Sequence, residues 1–174
     1  PTPTPCTASQ YRKSSDGVCT TCPAGSTMVD ALAGSEATAC NPCGAGQYGT
    51  GGSGACSSCT AGKHLVNAAT GSEAAACSLC DPGTYSGEAA ATCSQCTAGK
   101  FLVNSATAIL TSACSPCEAG SFSGASQDTC SSCLNGYYSG SNSASCAACG
   151  RGKKLVNAAT SIETSACQTC GENM

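Results

Sequence analysis

Nineteen cysteines run through a chain of 174 residues at almost fixed intervals. After Cys6 they fall into nine Cys-x-x-Cys pairs: Cys19/Cys22, Cys40/Cys43, Cys56/Cys59, Cys77/Cys80, Cys93/Cys96, Cys114/Cys117, Cys130/Cys133, Cys146/Cys149 and Cys167/Cys170. Starting from Cys6, the gaps are 12 or 17 residues, in the order short, long, short, long, short, long, short, short, long. One short and one long loop make a period of 37, visible at Cys43, Cys80 and Cys117. A fixed period of this length is the signature of a repeat array. The register slips once, where two short loops follow each other over 117–146.

These cysteines have to replace a conventional core. The 41% apolar content is made largely of Ala and Cys, with no Trp, 2 Phe and 5 Tyr. Burying a large apolar side chain contributes roughly 1.5–3 kcal/mol, while ordering each residue costs about 1–2 kcal/mol. A chain so poor in large side chains cannot offset that cost by burial alone. Its Cys content exceeds the level of about 8–10% that marks a disulfide scaffold. Such scaffolds persist in oxidising compartments, so an extracellular or cell-surface location is expected.

Inside the loops the wording repeats. Each short loop has an aromatic five residues after its first Cys: Tyr11, Tyr48, Tyr85, Phe122 and Tyr138. Gly46, Gly83, Gly120 and Gly136 stand two residues before it, with Ser9 as the exception. The long loops place Gly25, Gly62, Gly99 and Gly152 at the same offset from their first Cys, followed by Met28-Val29 or Leu-Val and then Asp30, Asn67, Asn104 or Asn157. Glycine there suits a turn that needs positive φ. The aromatic, or the Leu-Val pair, is the sizeable apolar matter of its loop and is expected to pack on a neighbouring disulfide.

Three chemistries compete for Cys-x-x-Cys. A thioredoxin-like redox pair needs a helix N-terminus in a βαβ setting, and no strand–helix alternation supplies it. Paired Cys-x-x-Cys groups do match Cys₄ zinc spacing, but nine pairs do not divide into two-pair sites and Cys6 is left over. Disulfides account for the parity: Cys6–Cys19, Cys22–Cys40, Cys43–Cys56, Cys59–Cys77, Cys80–Cys93, Cys96–Cys114, Cys117–Cys130, Cys133–Cys146 and Cys149–Cys167. Cys170 then stays unpaired or links to another molecule. Each closed loop of this size contributes about 3 kcal/mol in the chain-entropy picture. Connectivity cannot be deduced from spacing alone, and a crossed pattern such as Cys19–Cys40 with Cys22–Cys43 stays open. The sequential one is favoured because the constant lengths are those of the loops it closes.

The expected fold is therefore a set of small disulfide-rich repeats: an extended rod of tandem closed loops with short β-hairpins and little regular secondary structure. Residues 1–5 (PTPTP) read as a Pro/Thr linker with hydroxyls for O-glycans. The repeat array occupies 6–170, in loops 6–19, 22–40, 43–56, 59–77, 80–93, 96–114, 117–130, 133–146 and 149–167. Residues 171–174 read as the truncated start of a further loop or a C-terminal end. In the long loops LVNAAT followed by Ser and Ala reads as a candidate helical turn, although an isolated helix of this length is marginal in water. The chain starts at Pro1 without a charged-then-apolar leader, which suits a processed chain or a piece of a longer one.

Candidate sites for chemistry are sparse. GAGQYG at 44–49 satisfies G-x-G-x-x-G literally but lacks the preceding strand and following helix of a dinucleotide site, so turn glycines are the better reading. His64, the one histidine, takes the place of Phe101 and Lys154 in sister loops and reads as a variable surface or packing position. Asp16, Asp30, Asp81 and Asp128 are dispersed among loops, without the alternating carboxylates of a calcium site. Lys63, Lys100 and Lys153 recur after the glycine, and Glu36, Glu73 and Glu163 recur further on. A Lys–Glu contact within or between loops is conceivable, though Ser26 breaks the first copy and Leu110 the third. Arg151, Lys153 and Lys154 read as a solvated face. No catalytic, cofactor or metal set is found, and the expectation is that the chain is not an enzyme. A net charge of −3 with 10% charged residues offers no nucleic-acid surface. No apolar run is long enough to span a membrane.

The short-loop opening Cys-x-x-Gly-x-[Tyr/Phe], as in CGAGQY, CDPGTY and CEAGSF, resembles the cysteine-rich modules of the growth-factor-receptor and ephrin-receptor-like superfamily and the opening loop of tumour-necrosis-factor-receptor modules. That resemblance implies pairing of the two Cys that flank the aromatic, for example Cys43–Cys56 or Cys80–Cys93. The Ala-, Ser-, Thr- and Gly-rich array over 6–170 also resembles the surface immobilisation antigens of ciliates, which are glycolipid-anchored coat proteins. Two functions follow as expectations. One is an extracellular structural protein of a surface coat or external filament, whose partners are further copies or neighbouring coat proteins. The other is a receptor-like ectodomain binding a protein or glycan through loop tips, for which the doubled short loops with Tyr137 and Tyr138 stand out.

Overall fold

The computed structural model describes residues 5–171. Most of the expected linker at 1–5, and all of the tail beyond Gly171, lie outside the described residues.

Eight disulfides join Cys6–Cys19, Cys22–Cys40, Cys43–Cys56, Cys59–Cys77, Cys96–Cys114, Cys117–Cys130, Cys133–Cys146 and Cys149–Cys167. Cys80 and Cys93 are disulfide-bonded as well. Cys170 is an exposed free thiol. Sulfurs consumed in disulfides have no thiolate to offer zinc, which removes the Cys₄ reading.

Each closed loop holds one two-stranded antiparallel hairpin, nine among the described residues. In the short loops the aromatic lies opposite the residue that follows the closing cysteine: Tyr48 faces Ser57, Tyr85 faces Ser94, Phe122 faces Ser131 and Tyr138 faces Ala147. In the long loops Met28, Leu65, Leu102 and Leu155 face the closing cysteines Cys40, Cys77, Cys114 and Cys167. Strands of two or three residues are too short to persist alone in water. The disulfide at the base of each hairpin supplies the closure.

The long loops contain a helical turn, but it is not formed by LVNAAT. It lies just before the closing cysteine, at Glu36–Ala39, Glu73–Ala76, Leu110–Ala113 and Glu163–Ala166. A single turn pays the full nucleation cost of a helix. Here it is held because the next residue, a cysteine in extended conformation, is fixed by both the hairpin and the disulfide. The turn points its last alanine inward, and Ala39, Ala76, Ala113 and Ala166 are fully buried.

The core is divided into small clusters. Tyr11 packs with Cys22, Ala33 and Ala39; Tyr48 with Cys59, Ala76 and Cys77; Tyr85 with Cys96, Ala113 and Cys114; and Tyr138 with Ala166 and Cys167. In every case the aromatic of a short loop sits on the disulfide and helical-turn alanine of the long loop that follows. Met28, Leu65, Leu102 and Leu155 close the same clusters from the side. The expectation for the Leu-Val pair is corrected here, because Val29, Val66, Val103 and Val156 are exposed. Each short strand ends at the inward methionine or leucine, and the valine stands in the bend that follows, where the chain turns it to solvent.

The described residues form two compact bodies, one from residues up to Leu79 with Ser86–Cys93, the other from Cys80–Tyr85 with residues from Ser94 on. Within each, neighbouring loops are joined through main chain. In the first body the N–H of Gly25 donates to the carbonyl of Gly49, that of Gly49 to Ala68 and that of Gly62 to Ser86. In the second the N–H of Gly99 donates to Ser123, that of Gly120 to Ser139 and that of Ser139 to Ala158.

Candidate functional site

A recurring loop-to-loop joint is the most regular feature of the molecule. The residue after the aromatic is serine in three short loops, and Ser86, Ser123 and Ser139 are all buried. Their hydroxyls donate to the carbonyls of Lys63, Lys100 and Ser121, at 2.8, 2.9 and 2.9 Å. Each acceptor stands four residues after the opening cysteine of the preceding loop, so one joint serves both long-to-short and short-to-short neighbours. Main chain supplies the rest: the N–H of Ala89 bonds to Cys59, that of Ser126 to Cys96 and that of Asn142 to Cys117. Glycine is required where these backbones meet. A Cβ on Gly46 would lie 2.0 Å from the carbonyl carbon of Ala89, and one on Gly83 2.0 Å from that of Ser126.

The joint was not legible as a site. A serine following an aromatic looks like ordinary loop polarity, and the signal that marks it is recurrence at one offset in Tyr85-Ser86, Phe122-Ser123 and Tyr138-Ser139. The helical-turn alanine was missed for a similar reason, although each long loop ends in Ala-Cys.

The doubled short loops at 117–146 differ from the rest. Phe122 has the same offset as Tyr48 and Tyr138, but the loop that follows it is short and brings no helical-turn alanine to cover it. The ring is only half-buried. It lines an open groove of about 420 Å³ together with Ser131, Ser132, Leu134, Tyr137, Ser145 and Cys146. Leu134 is 78% and Tyr137 42% exposed, whereas Tyr138 is 8% exposed and belongs to the core. Of the two tyrosines singled out in the sequence, Tyr137 therefore belongs to the surface. Leu134, which sequence reasoning passed over, joins it.

The remaining candidates fall into place locally. GAGQYG forms a glycine turn with Gly46 at φ +68°, leading into the short strand Gln47–Tyr48. Lys63 bonds to Glu73 and Lys153 to Glu163, both at 3.0 Å and within their own long loops. The contact is thus a brace inside the loop, present in the two copies that keep both residues. The Glu73 carboxylate also accepts from the hydroxyl and the N–H of Thr60. These bonds, the Thr60 hydroxyl foremost and then the Lys63 ammonium, hold its pKa at about 2, below the ordinary 4.5. Glu163 is lowered in the same direction by Lys153 and by the N–H of Gly150. His64 is half-buried, with Nδ1 3.3 Å from Sγ of Cys93.

Comparison of the sequence with models of known protein families finds no match, and comparison with curated proteins finds none either. The fold itself defines the class: a tandem cysteine-rich repeat protein of small disulfide-closed hairpins. No helix among the described residues is long and apolar enough to cross a membrane.

Proposed function

We propose that this chain is an extracellular structural protein, a disulfide-stapled repeat element of a cell-surface coat or external filament, and not an enzyme. The observation that carries this reading is the uniform joint. Loops dock on their neighbours through main-chain bonds, reinforced at three boundaries by a serine hydroxyl, so the contact depends little on which loop comes next. Stability in such an array is a sum of loop and nearest-neighbour contributions. The disulfide content suits an oxidising, extracellular setting. The resemblance to ciliate immobilisation antigens points the same way, with further copies or neighbouring coat proteins as partners and O-glycans on exposed Ser and Thr.

A second reading, a receptor-like ectodomain, is favoured by one feature, the groove beside Leu134 and Tyr137. Exposed aromatic and aliphatic side chains around a concavity are what a protein or glycan ligand would use. Negative-stain imaging of the secreted protein separates the two. Filaments or a dense coat are expected for the structural role. Monodisperse particles that bind a soluble partner, with binding lost on Tyr137→Ala, would replace it with the receptor reading.

A further inference from the structure

His64 is the single histidine of the chain, and its Nδ1 lies 3.3 Å from Sγ of Cys93. Cys93 is in a disulfide, and both residues are half-buried, within reach of a small solute. This combination occurs once among the described residues, since the corresponding long-loop positions hold Thr27, Phe101 and Lys154. The long-loop disulfides are better protected, with Cys59 and Cys96 fully buried.

A disulfide is cleaved by a thiolate that attacks one sulfur while the other departs, and departure is faster when the leaving thiolate is stabilised. An imidazolium beside the departing sulfur stabilises it as a thiolate and can give it a proton. We propose that the disulfide of Cys93 is a thiol-exchange site for low-molecular-weight thiols, with His64 as the group that directs cleavage. The incoming thiolate bonds to the sulfur partnered with Cys93 and the old S–S bond breaks. Cys93 departs with the bonding pair and takes the Nδ1 proton, which leaves His64 neutral. The products are one mixed disulfide and one Cys93 thiol. Electrons balance, because one S–S bond is exchanged for another and no further oxidant or reductant enters.

The direction of opening follows from the geometry. His64 sits on Cys93, so Cys93 becomes the free thiol and the incoming group ends on its partner. The Cys133–Cys146 disulfide serves as an internal control. Its Cys133 Sγ also has a polar neighbour at 3.3 Å, but that neighbour is the Ser139 hydroxyl, which is far too weak an acid for the same role.

The test uses the whole folded protein without denaturant, treated with reduced glutathione, quenched with an alkylating agent over a time course and mapped by peptide mass spectrometry. Cys170 is labelled from the start as background. Cys93 is expected to become alkylated about tenfold or more ahead of Cys133 and Cys146, with glutathione on the partner of Cys93. That ratio is modest against the roughly 10²–10⁴ of a well-positioned acid, because water also reaches a half-buried sulfur. His64→Phe, which copies the sister residue Phe101, and His64→Gln, which keeps polarity without the acid, should both bring Cys93 down to the control rate. The proposal is overturned if Cys93 opens no faster than the control, if either variant leaves its rate unchanged, or if glutathione is found on Cys93 itself. Protection of Cys59 and Cys77 in each variant reports that the fold is intact. If His64→Phe loosens them, the His64→Gln result decides.

Discussion

Lys63 Nζ and Glu73 Oε1 lie 3.0 Å apart across the long loop 59–77, and the same carboxylate oxygen accepts from both the hydroxyl and the N–H of Thr60. The loop is thus closed twice, by the disulfide at its base and by this brace near its glycine turn. Folding lowers the pKa of Glu73 from 4.5 to about 2. A carboxyl depressed by folding contributes stability above its unfolded pKa and loses it as pH falls through the folded one. The brace is therefore at full strength above about pH 4.5, weakens below that and is lost as pH falls through about 2. Carboxyl NMR should show Glu73 titrating far below the ordinary 4.5. Thr60→Val should raise its midpoint more than Lys63→Met does, because the Thr60 hydroxyl is the largest cause. Glu73→Gln should relax the loop at neutral pH, with a difference from wild type that shrinks as pH falls toward and through about 2, read by amide exchange at Ala75 and Ala76. An ordinary midpoint in the wild type would refute the brace.

Gly83 and Gly136 separate two reasons for glycine. Both adopt positive φ, +73° and +86°. A Cβ at Gly83 would run into the main chain of Ser126, whereas nothing lies within 4 Å of one at Gly136. Gly136→Ala should cost only the left-handed backbone penalty, about 1–2 kcal/mol. Gly83→Ala carries that penalty and also forces the neighbouring loop away. Hydrogen exchange should show lost protection around Ser126 and Gln127 in Gly83→Ala alone. Equal effects of the two substitutions would mean that the close approach is not a real constraint.

Tyr48 and Phe122 occupy the same offset in their loops but different surroundings. Tyr48 is buried against Cys59, Ala76 and Cys77, while Phe122 is half-exposed over the groove. Truncating a buried aromatic costs about 3–5 kcal/mol, so Tyr48→Ala should open its local cluster. Phe122→Ala should cost clearly less, about half or below, since part of its ring is already in water. Local opening energies from native-state exchange measure both. The order would be reversed if the groove were in fact the better-packed seat.

The cysteine spacing made the loop lengths, the hairpins and the scarcity of regular structure legible, because a disulfide converts a count of residues directly into a closed ring. It did not reveal which side chains fill the rings. Phe122 shows why: its own loop reads like its sisters, and its exposure is decided by the loop that comes next, which lacks an alanine such as Ala76 or Ala166. Val66 reads like core because it follows Leu65 in an apolar pair, yet the strand ends at Leu65 and the bend after it leaves Val66 exposed. Small residues carry little hydrophobic signal, so the alanine seats and serine joints emerge only from three-dimensional placement. The Lys63–Glu73 brace was visible as a recurrence, but its confinement to one loop depended on the hairpin that turns Lys63 toward the helical turn.

Ser123 offers the most direct check on the loop-to-loop joint. It is buried, its hydroxyl donates to the carbonyl of Lys100, and its own N–H bonds to the carbonyl of Ser143. Ser123→Ala deletes the side-chain donor and leaves a carbonyl short of a partner in a site with little access to water. The expected cost is about 1–3 kcal/mol, concentrated at the boundary between loops 96–114 and 117–130. Ser123→Cys keeps the size but donates weakly, and should recover little. Ser131→Ala, at an exposed residue of the same hairpin, should stay within about 0.5 kcal/mol. Protease nicking near Gly124 and Ala125 in Ser123→Ala but not in Ser131→Ala would show that the hydroxyl couples the loops. Equal resistance of both variants would assign the coupling to main chain alone.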